Sequence, residues 1–275
     1  MINYTERLTI LMRDLVERIP ELSFIDVDNL LVFARHGRTN AQGAFATCHC
    51  LTLPPSEPGY YFWRERGSGR ITRRSEWFVT KSPTLTIDDR DVKYLISFVL
   101  PRFCDQTFNR SRKERYYPGM DDPSIAKLDT VVHELYHIDP QYCGIRRLDR
   151  GDGTYSTHCH SPQFFEDVAR MVREYVSRHP DPSVFDFLRH DLRSLQVNYG
   201  GVTATTFRSF PSYPQRFIER LAVQPLSSGE LASIEVEPLP PTRQRTVYTE
   251  DDLDVREFSK KTSRRLLKPA RFKAA

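Results

Sequence analysis

Leu8, Leu11, Leu15 and Ile19 recur at intervals of three or four residues, which predicts a helix with one apolar face, ended by Pro20. From about residue 25 to residue 100 the pattern changes. Short β-branched and aromatic runs at 30–34, 44–53, 71–80 and 92–99 predict strands, and Gly37, Pro54, Pro55, Gly67 and Gly69 punctuate them as turns. Two strong helices follow at about 123–138 and 162–178, with a weaker one at about 182–195. Strands followed by helices predict an α+β domain over residues 1–195. Residues 196–239 read as a small β extension with a short helix around 214–221. Past Pro238, Pro240 and Pro241 the chain turns polar and charged, so residues 240–275 read as a basic, largely disordered tail.

Composition narrows the class. At 275 residues, with 39% hydrophobic and 12% aromatic positions, the chain is neither disordered overall nor fibrous. The longest largely apolar run, 94–100, falls far short of the ~20 residues of a membrane-spanning helix, and the first residues lack a basic-then-apolar leader. A cytoplasmic protein with no membrane partner is expected. Five cysteines, an odd number, argue for reduced thiols and not for a disulfide framework. The net charge of +4 is uneven: residues 256–275 carry eight Lys or Arg against one Glu, leaving 32 basic and 35 acidic groups in the preceding 255 residues. The body of the protein is therefore slightly acidic.

The chemistry concentrates in Val131-Val132-His133-Glu134-Leu135-Tyr136-His137. Histidines four apart on a helix share a face, so both imidazoles can reach one metal ion. The glutamate beside the first can take a proton from a water that the metal activates. Asp122-Pro123 is a good helix start and Asp139-Pro140 a good stop, which puts the motif inside a helix. Ile125, Leu128, Val132 and Leu135 form an apolar stripe for packing on the sheet, while Asp129, His133 and His137 lie on another face. A catalytic zinc needs a third protein ligand. His160 precedes Ser161-Pro162, the predicted N-cap and first turn of the next helix, and is the leading candidate; His158 and Glu166 compete with it.

His133-Glu134-Leu135-Tyr136-His137, a loop, and then His160-Ser161-Pro162-Gln163-Phe164-Phe165 resemble the SprT-like zinc metallopeptidases, phage metallopeptidases included. The resemblance covers residues 127–176. It implies a zincin-like fold, a mainly antiparallel sheet packed on the HExxH helix and a following helix, with His133, His137 and His160 holding one Zn2+ and Glu134 as general base. The implied reaction is hydrolysis of a protein or peptide. Many members carry a C-terminal zinc ribbon with paired C-x-x-C motifs, whereas this chain has no cysteine after Cys159.

Other signals are weaker. Tyr142, Tyr155 and His158 lie in the loop between the two helices, where an oxyanion donor is needed. Asp129, one turn before His133, reads either as an orienting partner of a ligand or as an exposed carboxylate near the helix start. Cys48, Cys50, Cys143 and Cys159 match no zinc module, so packing is the expectation for them. The segment 37–43 is glycine-bounded but lacks the Gly-Lys-Ser/Thr ending of a phosphate loop, and reads as a turn; the strand after it can line a substrate cleft. Arg64, Arg66, Arg70, Arg73 and Arg74, with Arg110, Arg112, Lys113 and Arg115, alternate with Tyr61, Phe62, Trp63, Trp77, Tyr116 and Tyr117. Together with the basic tail they give nucleic acid as a second partner class. The alternative to an enzyme is a nucleic-acid-associated binding protein with a structural or silent zinc site.

Overall fold

The computed structural model describes residues 1–37, 43–52, 60–64, 71–81, 83–108, 113–142, 144–146, 160–210, 213–214, 217–220, 246–260 and 263–265. The chain runs β1 (Ile2–Asn3), α1 (Tyr4–Arg18), β2 (Leu30–Gly37), β3 (Ala46–Cys50), β4 (Tyr60–Arg64), β5 (Ile71–Lys81), β6 (Thr84–Ile87), β7 (Arg90–Asp91) and β8 (Tyr94–Pro101). Four helices then follow: α2 (Pro123–Tyr136), α3 (Pro162–Ser177), α4 (Pro182–Phe185) and α5 (Leu192–Tyr199). The last strands are β9 (Val202–Phe207), β10 (Phe217–Arg220), β11 (Val247–Thr249), β12 (Leu253–Phe258) and β13 (Ser263–Arg265). The architecture is α+β, as expected from the sequence.

The first helix forms where the apolar spacing placed it. Asn3 caps it by accepting a hydrogen bond from the Glu6 N–H, and Leu8, Leu11, Leu15 and Ile19 are fully buried. The strands divide among four small sheets, ordered β1-β9-β12-β13, β10-β5-β4, β11-β6-β7 and β2-β8-β3. Pairing is mixed: six of the nine pairings among the described strands are antiparallel, while β2 runs parallel to β8 over eight registered pairs, β1 parallel to β9 and β11 parallel to β6. Sequence pattern alone could not fix this, because a buried parallel strand and a buried antiparallel one share the same apolar alternation until a partner is chosen.

The β2-β8-β3 sheet is covered on both faces. Leu30, Val32 and Ala34 of β2, with Tyr94, Ile96, Phe98 and Leu100 of β8, join the main core, which also contains α1, α2 and α3. Leu31, Phe33 and Leu95 point the other way into a smaller core with Leu51, Leu85, Val92, Phe207 and Leu253. Two-sided burial explains the nearly continuous apolar runs of β2 and β8.

Three expectations for the second half of the chain are corrected. The weak helix at 182–195 is broken into α4, a 3-10 turn at residues 186–189, and α5. Asp191 starts α5 by accepting from the Ser194 N–H, while the buried Lys127 ammonium donates to the carbonyls of Leu188 and His190 at 2.6 and 2.7 Å. Residues 217–220 form a strand paired to β5 where a short helix was expected. Residues 246–258 are no free tail: β12 pairs antiparallel with β9 over six residues, and Phe258 is fully buried. Because β9 lies between β1 and β12, the expected boundary at residue 195 cuts through one sheet. No described helix is long and apolar enough to cross a membrane.

Candidate metal centre

Helix α2 begins where Asp122 accepts hydrogen bonds from the N–H and hydroxyl of Ser124, with Pro123 in the first turn. Every residue from Ser124 to Tyr136 is buried, the polar ones included, so α2 runs through the middle of the molecule and not along a surface. The last turn carries His133 and Glu134; His137 is the C-cap residue and keeps helical dihedrals, which preserves the one-turn offset between the two imidazoles. The next helix, α3, is capped by Ser161, whose hydroxyl accepts from the Phe164 N–H at 3.2 Å. His160 is the residue just outside that cap.

The three histidines converge. Nε2 of His133 lies 3.0 Å from Nε2 of His160 and 3.1 Å from Nε2 of His137, and the remaining side of the triangle is 3.0 Å. Ring centroids are 4.7 to 4.9 Å apart, so the rings turn these nitrogens inward toward one point. Among the described residues this is the group of His, Cys, Asp or Glu side chains able to hold a metal ion. A tetrahedral ion with nitrogen ligands at about 2.0–2.1 Å would need nitrogens about 3.3 Å apart, within a few tenths of an ångström of what is seen. The donor set therefore fits a metal. Mutual hydrogen bonds are a poor alternative, since three N–H vectors aimed at a shared centre cannot each point along a side of the triangle.

Two phenylalanines hold the rings. Phe164, fully buried, stacks on His137 at 4.8 Å between centroids and meets His133 and His160 edge-on at 4.9 and 5.5 Å. Phe165 stacks on the outer face of His160 at 5.7 Å. From the sequence, Phe164 and Phe165 read as alternatives for packing α3; that both frame the histidines is visible only once α3 lies beside α2. Burial depresses the proton affinity of all three imidazoles: His133 falls well below its ordinary value, His137 to about 3, and His160 in the same direction, with the Lys113 charge adding to each.

Glu134 is 5% exposed. Burial pushes its carboxyl up to about 8, opposed by a hydrogen bond from the Cys48 backbone N–H and by the charges of Lys113 and Arg35. The Cys48 contact ties the site to β3, the outer strand of its sheet. The Phe45 carbonyl accepts from the Val99 N–H of β8 and the Leu51 N–H donates to the Lys93 carbonyl just before it, so the N–H and C=O groups of Ala46 and Cys48 face the other way, toward α2.

Asp129 is buried, and both of its expected roles are overturned: it accepts from the Tyr117 hydroxyl at 2.7 Å and pairs with the Lys113 ammonium, touching no histidine. Lys113 itself lies 5.8 Å from the Phe165 ring centroid, at the rim of the histidine cluster. Sequence reading placed it in the basic and aromatic run read for nucleic acid, and no local signal tied it to the histidines. Tyr142 is tied elsewhere, its hydroxyl donating to the Phe24 carbonyl and accepting from the Asp26 N–H. Tyr155, His158, Cys143 and Cys159 lie outside the described residues, as do Arg66, Arg70, Arg110, Arg112 and most of the glycine-bounded loop. Glu166 is exposed on α3 and takes no part in the cluster. Cys50 and Cys104 are buried and Cys48 half-buried, in keeping with packing.

No protein-family model matches this chain, and comparison with curated proteins and with solved structures finds no match.

Proposed function

We propose that the protein is a zinc-dependent metallopeptidase of the SprT-like type, with a zincin-like catalytic core. The observation that carries the reading is the convergence of His133, His137 and His160 Nε2 at 3.0 to 3.1 Å, with a buried carboxyl on the same helical turn. Three neutral imidazoles suit Zn2+, which would supply Lewis acidity and lower the pKa of a water toward neutrality.

The chain's own residues have defined parts in this reading. Glu134 is the general base: on the same helical turn as His133, it would take a proton from the attacking water and return it to the leaving amine. The Cys48 N–H beside the Glu134 carboxyl would help to orient it. The outward backbone groups of Ala46 and the carbonyl of Cys48 offer an extended peptide the hydrogen bonds of an added strand beside Glu134. Phe164 and Phe165 keep the imidazole rings oriented and the floor of the site dry.

The test pairs metal content with turnover. Purified protein should carry about one zinc per chain by elemental mass spectrometry, greatly reduced in His133→Ala and His160→Ala. Hydrolysis of unfolded casein should fall by about 10²–10⁴-fold in Glu134→Gln, with zinc retained. A reconstituted wild-type protein that binds no zinc, or a Glu134→Gln variant as active as wild type, removes the proposal. Zinc without hydrolysis, joined to salt-sensitive oligonucleotide binding, would favour the binding-protein alternative.

A further inference from the structure

The segment that follows α2 turns straight back on the helix end. Ile138 and Ile145 form an isolated antiparallel bridge, and the Arg146 N–H donates to the His137 carbonyl at 2.8 Å. The Arg146 side chain continues the grip. Its Nε donates to the Ile138 carbonyl at 3.1 Å, and its half-buried guanidinium lies over two aromatic rings, 4.4 Å from the Tyr136 centroid and 5.2 Å from the Phe24 centroid. Phe24 comes from the turn ahead of β2. Tyr136 belongs to the histidine motif itself: it packs on Phe164 at 5.0 Å between centroids, and its hydroxyl donates to Asp167 of α3 at 3.0 Å.

The two histidines of α2 are not held alike. His133 lies within the hydrogen-bonded body of the helix, but His137 is the C-cap, where the last carbonyls lack intrahelical partners and the turn tends to fray. Arg146 supplies donors to the carbonyls of His137 and of the residue after it, and it brings a positive charge to the negative end of the helix. A planar guanidinium can cover a ring with its face while donating from its edge, which an ammonium cannot do. We propose, resting on the metal reading of the histidine cluster, that Arg146 is a positioning residue: it holds the turn of His137, and with it the imidazole, in the geometry that completes the three-nitrogen site.

A chromogenic chelator titrated into the zinc-loaded, full-length protein measures zinc affinity by competition, and Co2+ exchanged into the site gives a visible spectrum that reports ligand geometry. In Arg146→Lys, which keeps the charge, zinc affinity should fall at least about tenfold, and the Co2+ bands should shift or weaken even at saturating metal. Tyr142→Phe is the control for loop anchoring. It removes the hydroxyl that joins the same loop to the Phe24 carbonyl and the Asp26 N–H, and should leave zinc affinity and the Co2+ spectrum as in wild type, whatever it does to the melting temperature. If circular dichroism shows Arg146→Lys unfolded, Phe24→Leu, which takes one ring from the guanidinium, replaces it and should change both readouts in the same direction. Zinc affinity equal to wild type in the folded variant, or an unchanged Co2+ spectrum at saturation, overturns the role. An equal loss in Tyr142→Phe overturns it too, since any anchor of the loop would then serve. A wild-type protein that binds no metal overturns the metal reading itself, and this inference falls with it.

Discussion

A buried imidazole that resists protonation is a better metal ligand than an exposed one, because protons no longer compete with the ion near neutrality. His133 and His137 are of this kind; His160 is exposed at the edge of the cluster, and partial desolvation lowers its proton affinity in the same direction. Lys127 shows the opposite side of burial. Its ammonium is only 2% exposed and donates to two carbonyls, yet desolvation lowers its proton affinity from 10.5 to about 8. Between those values the unfolded chain binds more protons than the folded one, so this residue's contribution to stability rises with pH from about 8 to 10.5 and is least favourable below 8. The stability of wild type minus that of Lys127→Met, measured by urea unfolding, should increase across this window by at most ~3 kcal/mol. A flat difference would mean that Lys127 titrates alike in both states.

At the scale of elements, the histidine cluster depends on two helix ends: the C-terminal turn of α2 and the cap that opens α3. Ser161 links cap and ligand, since its hydroxyl closes the first turn of α3 immediately after His160. Ser161→Ala should cost ~1 kcal/mol of stability. It should also weaken zinc binding several-fold in a competition titration, because His160 then samples more backbone conformations. A loss of stability with zinc affinity unchanged would show that His160 is held by Phe165 stacking alone. Both helices were legible in the sequence, to within two residues at their ends, because Asp122-Pro123 and Ser161-Pro162 are strong start signals next to regular apolar spacing. The strand at 217–220 was not legible, since its conformation is set by pairing with β5, far away in sequence.

Across the whole molecule, the C-terminal segment closes the fold. β12 fills the place between β9 and β13, and Phe258 inserts into the main core. Phe258→Ala should destabilise the protein by about 3–5 kcal/mol, a loss that a disordered tail would not show. Thermal unfolding measures it, and a melting temperature equal to that of wild type would detach β12 from the core. In the same strand Arg256 lies 5.0 Å from the Phe210 ring centroid, so its side chain packs on the fold.

By itself the sequence determined the local features: amphipathic α1, the helix carrying His133, Glu134 and His137, the cap that follows His160, and the α+β class. Each depends on residues within a few turns of one another, where spacing and capping chemistry act directly. Tertiary structure alone decided the parallel pairing of β2 with β8, the union of β9 with β12, the Lys113–Asp129 pair, and the placement of Arg146 over Phe24 and Tyr136. These join segments dozens to hundreds of residues apart, and their geometry follows from which surfaces exclude water together. The choice of His160 as third histidine rested on both, because the cap fixed its position just before α3 while the packing of α3 against α2 brought its nitrogen within 3.0 Å of the others.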